Sequence, residues 1–136
     1  MSPISKSSGL GWTTCSVDDA SGTPTVIKND VTNLSFATPR AVQDVTGIDK
    51  SANERLLLLA DASITLETVF NPTGAHLVFS TVPSTSVART TTLVVSAKTL
   101  AMEMLYTDYP LQRSNSGELT ASIPGVLADG TVPTWS

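Results

Sequence analysis

One histidine, His76, stands in the whole chain. Ser–His–Asp catalysis needs a histidine beside a nucleophile and an orienting acid. His76 instead lies next to the apolar stripe of a segment that reads as a short helix, where partial packing accounts for it. Twelve carboxylates are available, and glycoside hydrolysis runs on a pair of them. Only Asp18 and Asp19 are adjacent, and they fall among turn residues. Asp and Gly spacing matches no EF-hand loop, and neither a P-loop nor a G-x-G-x-x-G run occurs. The single cysteine, Cys15, excludes an intrachain disulfide framework and a cysteine-based zinc site. It reads as a small strand residue. Trp12 and Trp135, near the two ends, read as packing or subunit-contact residues. The residue inventory calls for no cofactor and no metal, and it points to a chain that works through its surfaces rather than as an enzyme.

Composition supports that direction. The chain has 136 residues, which suits a single domain. Apolar residues make up 40% and charged residues 15%, against roughly a quarter charged in an ordinary soluble domain. A subunit that hides surface against copies of itself can carry less charge. The net charge of −4 and the scattered basic residues argue against a protein that grips phosphates, which needs a basic stripe. The N-terminus has no apolar region of the signal-peptide kind. No apolar stretch approaches the roughly 20 residues needed to span a bilayer.

The elements follow from periodicity. Residues 1–9 read as a flexible arm. Gly11–Val17 and Thr25–Lys28 read as short strands around a turn at Asp18–Pro24. Val31–Ala37 alternates, with Leu34 and Phe36 on one face. Arg40–Arg55 reads as a long polar loop. Within it, Ser51-Ala52-Asn53-Glu54 fits a capping box and predicts a helical turn. Leu56–Phe70 reads as one long strand, with Leu58, Ala60, Ala62, Ile64 and Leu66 opposite Leu59, Asp61, Ser63, Thr65 and Glu67; the competing reading is a helix begun by the capping box, which the leucine run would tolerate. Asn71-Pro72 reads as a helix start, Ala75, Val78, Phe79 and Val82 as its stripe, and Pro83 as its end. Arg89–Ala97, Ala101–Leu111 and Gly117–Ile123 read as strands. The last two are joined by Arg113–Gly117 as a hairpin. Pro124–Ser136 reads as a C-terminal extension. The sum is a mainly β chain, a two-sheet β-sandwich or partly closed barrel with one short flanking α-helix.

Several segments taken in order resemble the major tail (tail tube) proteins of long non-contractile phage tails, the actinobacterial phage type above all. They are Leu10-Gly11-Trp12-Thr13-Thr14, the run from Phe36-Ala37-Thr38-Pro39-Arg40 through Asp44-Val45-Thr46-Gly47-Ile48-Asp49-Lys50-Ser51, then Glu54 to Asp61, Val69-Phe70-Asn71-Pro72, and Pro124-Gly125-Val126 to Trp135. One departure is the charged Glu67-Thr68 pair. The resemblance implies a subunit that closes into hexameric rings and stacks into a hollow tube in the virion tail, assembled in the host cytoplasm and free of membrane. The implied partners are further copies, tail tip and terminator proteins and, transiently in the lumen, a tape measure protein and double-stranded DNA.

Two residue sets carry these expectations. Asp61, Ser63, Thr65 and Glu67 form a polar strand face suited to a water-filled channel. An acidic, hydroxyl-rich wall repels DNA weakly within a Debye length of about 8 Å, where a basic wall would hold it. Arg40, Asp44, Asp49, Lys50, Glu54 and Arg55 give the long loop mixed charge, which suits contacts between stacked rings. Two other readings stay open. One is a tail component that forms a single ring, either a distal tail or a terminator protein. The other is a carbohydrate-binding β-sandwich module, which should cluster aromatics on one face, whereas aromatics are 5% here.

Overall fold

The alternating segments become strands that wrap one core. A computed structural model describes residues 8–136, so most of the expected N-terminal arm lies outside the described residues. Ser8 caps a short 3-10 turn at Gly9–Gly11, its hydroxyl accepting from Leu10 N at 3.3 Å. The strands are β1 (Trp12–Asp18), β2 (Pro24–Val26), β3 (Val31–Ala37), β4 (Arg40–Asp44), β5 (Arg55–Ala60), β6 (Ser63–Val69), β7 (Arg89–Val95), β8 (Lys98–Tyr106), β9 (Leu111–Arg113) and β10 (Leu119–Leu127). One helix, α1 (Ala75–Phe79), lies between β6 and β7.

Eight strands form one antiparallel sheet in the order β2-β1-β7-β8-β10-β6-β3, with β9 beside β10. The mainly β architecture is as expected, and the sheet is not closed. Its two halves meet at a narrow junction, where β8 and β10 pair only at Tyr106–Gly125, Leu105–Val126 and Met104–Leu127. Inward residues of both halves share a single core: Cys15 and Val17 from β1, Leu93 from β7, Met102 and Met104 from β8, Ile64 and Leu66 from β6. Each such buried side chain contributes about 1.5–3 kcal/mol over leaving it in water. The stripe Ala75, Val78, Phe79 and Val82 is buried as predicted and covers one end of that core.

Pro124 sits inside β10, where proline removes a ladder donor. Its carbonyl accepts from Thr107 N at 3.2 Å, on the side where β8 has ended and β9 has not begun. The ladder is broken there in any case, so the missing N–H costs little. Gly125 follows because the ring of Tyr106 lies across it: a Cβ added at Gly125 would fall 2.9 Å from Tyr106 Cε1 and from Ile64 Cγ2.

Several boundaries differ from the sequence reading. The helix starts later than Asn71-Pro72, because its first turn is capped from a distant element. The buried carboxylate of Asp30 accepts from Ala75 N at 2.9 Å and from Asn71 Nδ2 at 2.8 Å. Asn71 holds the preceding turn, accepting from Thr73 N at 3.2 Å. The strand from Arg89 stops at Val95, since Ser96 and Ala97 both take positive φ (48° and 64°) in the tight turn to β8. The strand read as Ala101–Leu111 splits into β8 and β9 around Pro110. The C-terminal extension begins only after Leu127. Trp135 then returns to bridge Leu100 on β8, with its ring 5.9 Å from that of Phe36.

Candidate functional site

Two surfaces stand out once the core is filled. The first is the outer face of β3, β6 and β10. Alternation buries Ile64, Leu66 and Thr68 of β6 and exposes Ser63, Thr65 and Glu67. Cross-strand register adds neighbours. Glu67 lies between Asn33 and Ser122, Thr65 between Ser35 and Pro124, and Ser63 between Ala37 and Val126. The strands carry no Lys or Arg at all. Glu67 is their one charged residue, set among hydroxyls and amides.

The structure brings Ser63, Thr65 and Glu67 together and sets Asp61 apart. The strand read as continuous from Leu56 to Phe70 breaks at Asp61-Ala62. There the Asp61 carboxylate accepts from Ala62 N at 2.8 Å, and Asp61 N donates to Pro39 O at 2.8 Å. Asp61 therefore fixes an elbow rather than occupying a place in the strand row.

The second surface is what that elbow launches. The segment expected to be an irregular loop is a β-hairpin arm, β4 paired with β5, extending from the β3–β6 pair. No helical turn forms at Ser51–Glu54. Glu54 N instead donates to Thr46 Oγ1 at 2.8 Å, and Val45 N donates to Glu54 O at 3.0 Å. Thr46 also donates through its hydroxyl (2.5 Å) and its backbone N (2.9 Å) to Asp44 Oδ1, which lowers the Asp44 carboxyl from its ordinary value. At the base, Arg40 donates from Nε (3.2 Å) and Nη2 (3.0 Å) to Leu58 O. This clasp spans the register shift between Arg40 and Val42.

All six charged residues expected at ring contacts, Arg40, Asp44, Asp49, Lys50, Glu54 and Arg55, sit on this arm. Asp44 stands opposite Arg55, and Lys50 and Asp49 form an exposed ion pair at 3.8 Å, of a kind that adds at most about 1 kcal/mol. The arm's most conspicuous residues escaped the sequence reading. Leu56, Leu57, Leu58 and Leu59 are 53%, 61%, 41% and 89% exposed. Val42, Val45 and Ile48 are exposed with them. An isolated two-stranded hairpin is marginal in water, and this one is apolar on both faces. The available signal was an unbroken run of four leucines directly before a cleanly alternating strand.

The remaining candidates pack against other side chains or are buried. His76 packs its ring 4.8 Å from Phe70, and its Nδ1 lies 3.2 Å from the Tyr109 hydroxyl. Cys15 is buried, and burial pushes its thiol up to about 11. No cluster of metal-ligating side chains occurs among the described residues, and none of their helices is long and apolar enough to cross a membrane.

No family model and no curated protein matches the sequence. Solved structures do match the fold. One chain in the virion of a native gene transfer agent particle superposes with a TM-score of 0.76 at 14% identity, covering 96% of this chain and 99% of that one. A chain of the tail of an empty gene transfer agent particle, with C6 symmetry, gives 0.77 at 16% identity over 96% and 98%. A chain of the sixfold-symmetrised baseplate of the anti-feeding prophage gives 0.64 at 14% identity, covering 100% and 97%. At these identities the shared property is the fold, matched nearly end to end.

Proposed function

We propose that this chain is the repeating subunit of a phage-type tail tube, closing into hexameric rings that stack around a channel for double-stranded DNA. The observation that carries the reading is the hairpin arm. A folded monomer leaves four consecutive leucines in water, on an element with no core of its own, and only a neighbouring protein can cover them. A fold shared end to end with chains of sixfold particles favours further copies as that neighbour. The open edges of the sheet, at β3 and β2, point the same way: unpaired edges must be blocked or paired, and ring closure pairs them.

In this reading the face of Ser63, Thr65 and Glu67 lines the lumen and the arm reaches the adjacent ring. Function is passive. A wall without Lys or Arg offers DNA phosphates no counter-ion, so the genome slides without being held. Tape measure, tail tip and terminator proteins are the partners that such a tube meets along its length and at its ends.

Replacing Leu57 and Leu59 together by serine tests the reading. These side chains touch no core, so the monomer should keep its thermal stability to within about 0.5 kcal/mol while sedimentable tubes disappear. Normal tube formation by the double variant would remove the arm from the assembly and the proposal with it.

A further inference from the structure

The arm needs a receptor, and one groove in the fold has the matching chemistry. Between the start of β1, which β2 leaves uncovered, and the edge strand β3 lies an open groove of about 340 Å3, walled by Trp12, Thr14, Lys28, Val31 and Leu34 with Cys15 at its floor. Its walls are strand edges. β3 pairs only with β6, and β2 covers β1 only from Ser16 to Asp18, leaving Trp12–Thr14 without a strand on that side. Ile27 ties the margins together at the far end, donating to Cys15 O at 2.9 Å and accepting from Val31 N at 3.2 Å. The groove thus offers strand edges with no strand beside them, apolar side chains and one charge, the Lys28 ammonium, whose Nζ donates to Thr13 O at 3.1 Å.

We infer that this groove receives the hairpin arm of a second copy of the chain. The inference rests on the self-assembly reading and names the surface that reading leaves open. Three features select the occupant. The arm presents strand edges and exposed leucines, which suit strand addition against an apolar wall. Its tip, residues 44–54, carries three carboxylates (Asp44, Asp49, Glu54) against Lys50 alone, complementary in sign to Lys28, the one charged group of the groove. The arm of the same chain is excluded by its root: it leaves the Ala37 end of β3 through the elbow at Pro39 and Asp61, away from the Val31–Leu34 half that lines the groove.

Cysteine pairs in the full-length protein test this. In a Cys15→Ala background, Thr14→Cys in the groove with Ile48→Cys at the arm tip should give a ladder of disulfide-linked oligomers once tubes have formed and oxidant is added. Leu77→Cys, on the exposed side of α1, with Ile48→Cys should give none. A charge exchange gives a second reading that needs no cysteine. Lys28→Glu should raise the concentration required for assembly by about two- to fivefold, and adding Asp49→Lys should restore it. Tubes that form, carry no groove-specific ladder and tolerate Lys28→Glu would overturn the groove as receptor while leaving self-assembly intact. A parent protein that never assembles, even with tail-tip components supplied, would overturn the reading beneath it.

Discussion

Single residues divide here into those that keep the fold and those that face a partner. Cys15 belongs to the first group. Burial favours the neutral thiol and raises its ionisation from the ordinary value of 9.0 to about 11. The sign follows: a group whose folded value is raised contributes stability that is complete below pH 9 and is lost as pH climbs through 11. Cys15→Ala should therefore flatten the alkaline limb of a stability–pH profile. The native thiol should resist labelling at pH 8, where roughly a thousandth is thiolate. Rapid labelling of the folded protein at that pH would contradict the burial.

Under the proposed assembly Glu67 falls in the second group; it is the only charge on the exposed face of β3, β6 and β10. Glu67→Lys should leave folding and tube assembly intact, since the side chain is exposed. Each ring would then carry a belt of cations. Tubes of this variant should retain short duplex DNA at low salt roughly tenfold better than wild type, with the gain lost as salt rises. Equal retention by both would place Glu67 off the channel wall.

At the scale of elements, a buried charge organises one end of the molecule. Arg89 begins β7 and is 2% exposed. Its Nη1 donates to Val78 O (2.9 Å) and Asp18 O (3.2 Å), and its Nη2 to Thr81 Oγ1 (2.8 Å) and Thr85 Oγ1 (3.2 Å). One planar guanidinium so ties α1 and the turns after it to β7 and the end of β1. Burial lowers its proton affinity, with the charge of Asp19 opposing. Arg89→Ala should cost about 2–4 kcal/mol in denaturant unfolding, because buried acceptors are left unpaired. Arg89→Lys should recover only part, since an ammonium lacks the fork that reaches all four.

The same scale explains what the sequence made legible. Faces of β6, β8 and β10 follow from alternation, because each has one side on the core: Ile64 and Leu66, Met102 and Met104, Ala121 and Ile123 are buried as their period requires, while Leu119, of the same period at the start of β10, is exposed. The stripe of α1 was legible for the same reason. The arm was not. Leu56–Leu59 reads like a buried strand, yet no described residue of this chain covers it, so its exposure is not reported by any periodicity. The break at Asp61-Ala62 and the start of α1 were hidden differently: each is set by a partner distant in sequence, Pro39 in one case and Asp30 in the other. Of the site residues, Ser63, Thr65 and Glu67 came from alternation, whereas Asp61 shared their period and not their place.

At the scale of the whole molecule, three features fit the proposed assembly. Its charged share is low, its sheet is open at both margins, and its one projecting element is apolar where a monomer's would be polar. Ring closure would pair the open margins and stacking would cover the apolar arm. In the proposed assembly, arm, bare polar face and groove serve as contact between rings, wall of the channel, and socket for the arm.

The most direct test of this account is electron microscopy of the purified protein at high concentration, with tail-tip complexes added as initiators, carried to a resolution that places side chains. The account predicts hollow tubes of stacked hexamers with Ser63, Thr65 and Glu67 on the lumen wall and the leucines of each arm buried against a neighbouring subunit. Single unstacked rings, persistent monomers, or tubes with Glu67 on the outside and Leu56–Leu59 still in solvent would contradict it.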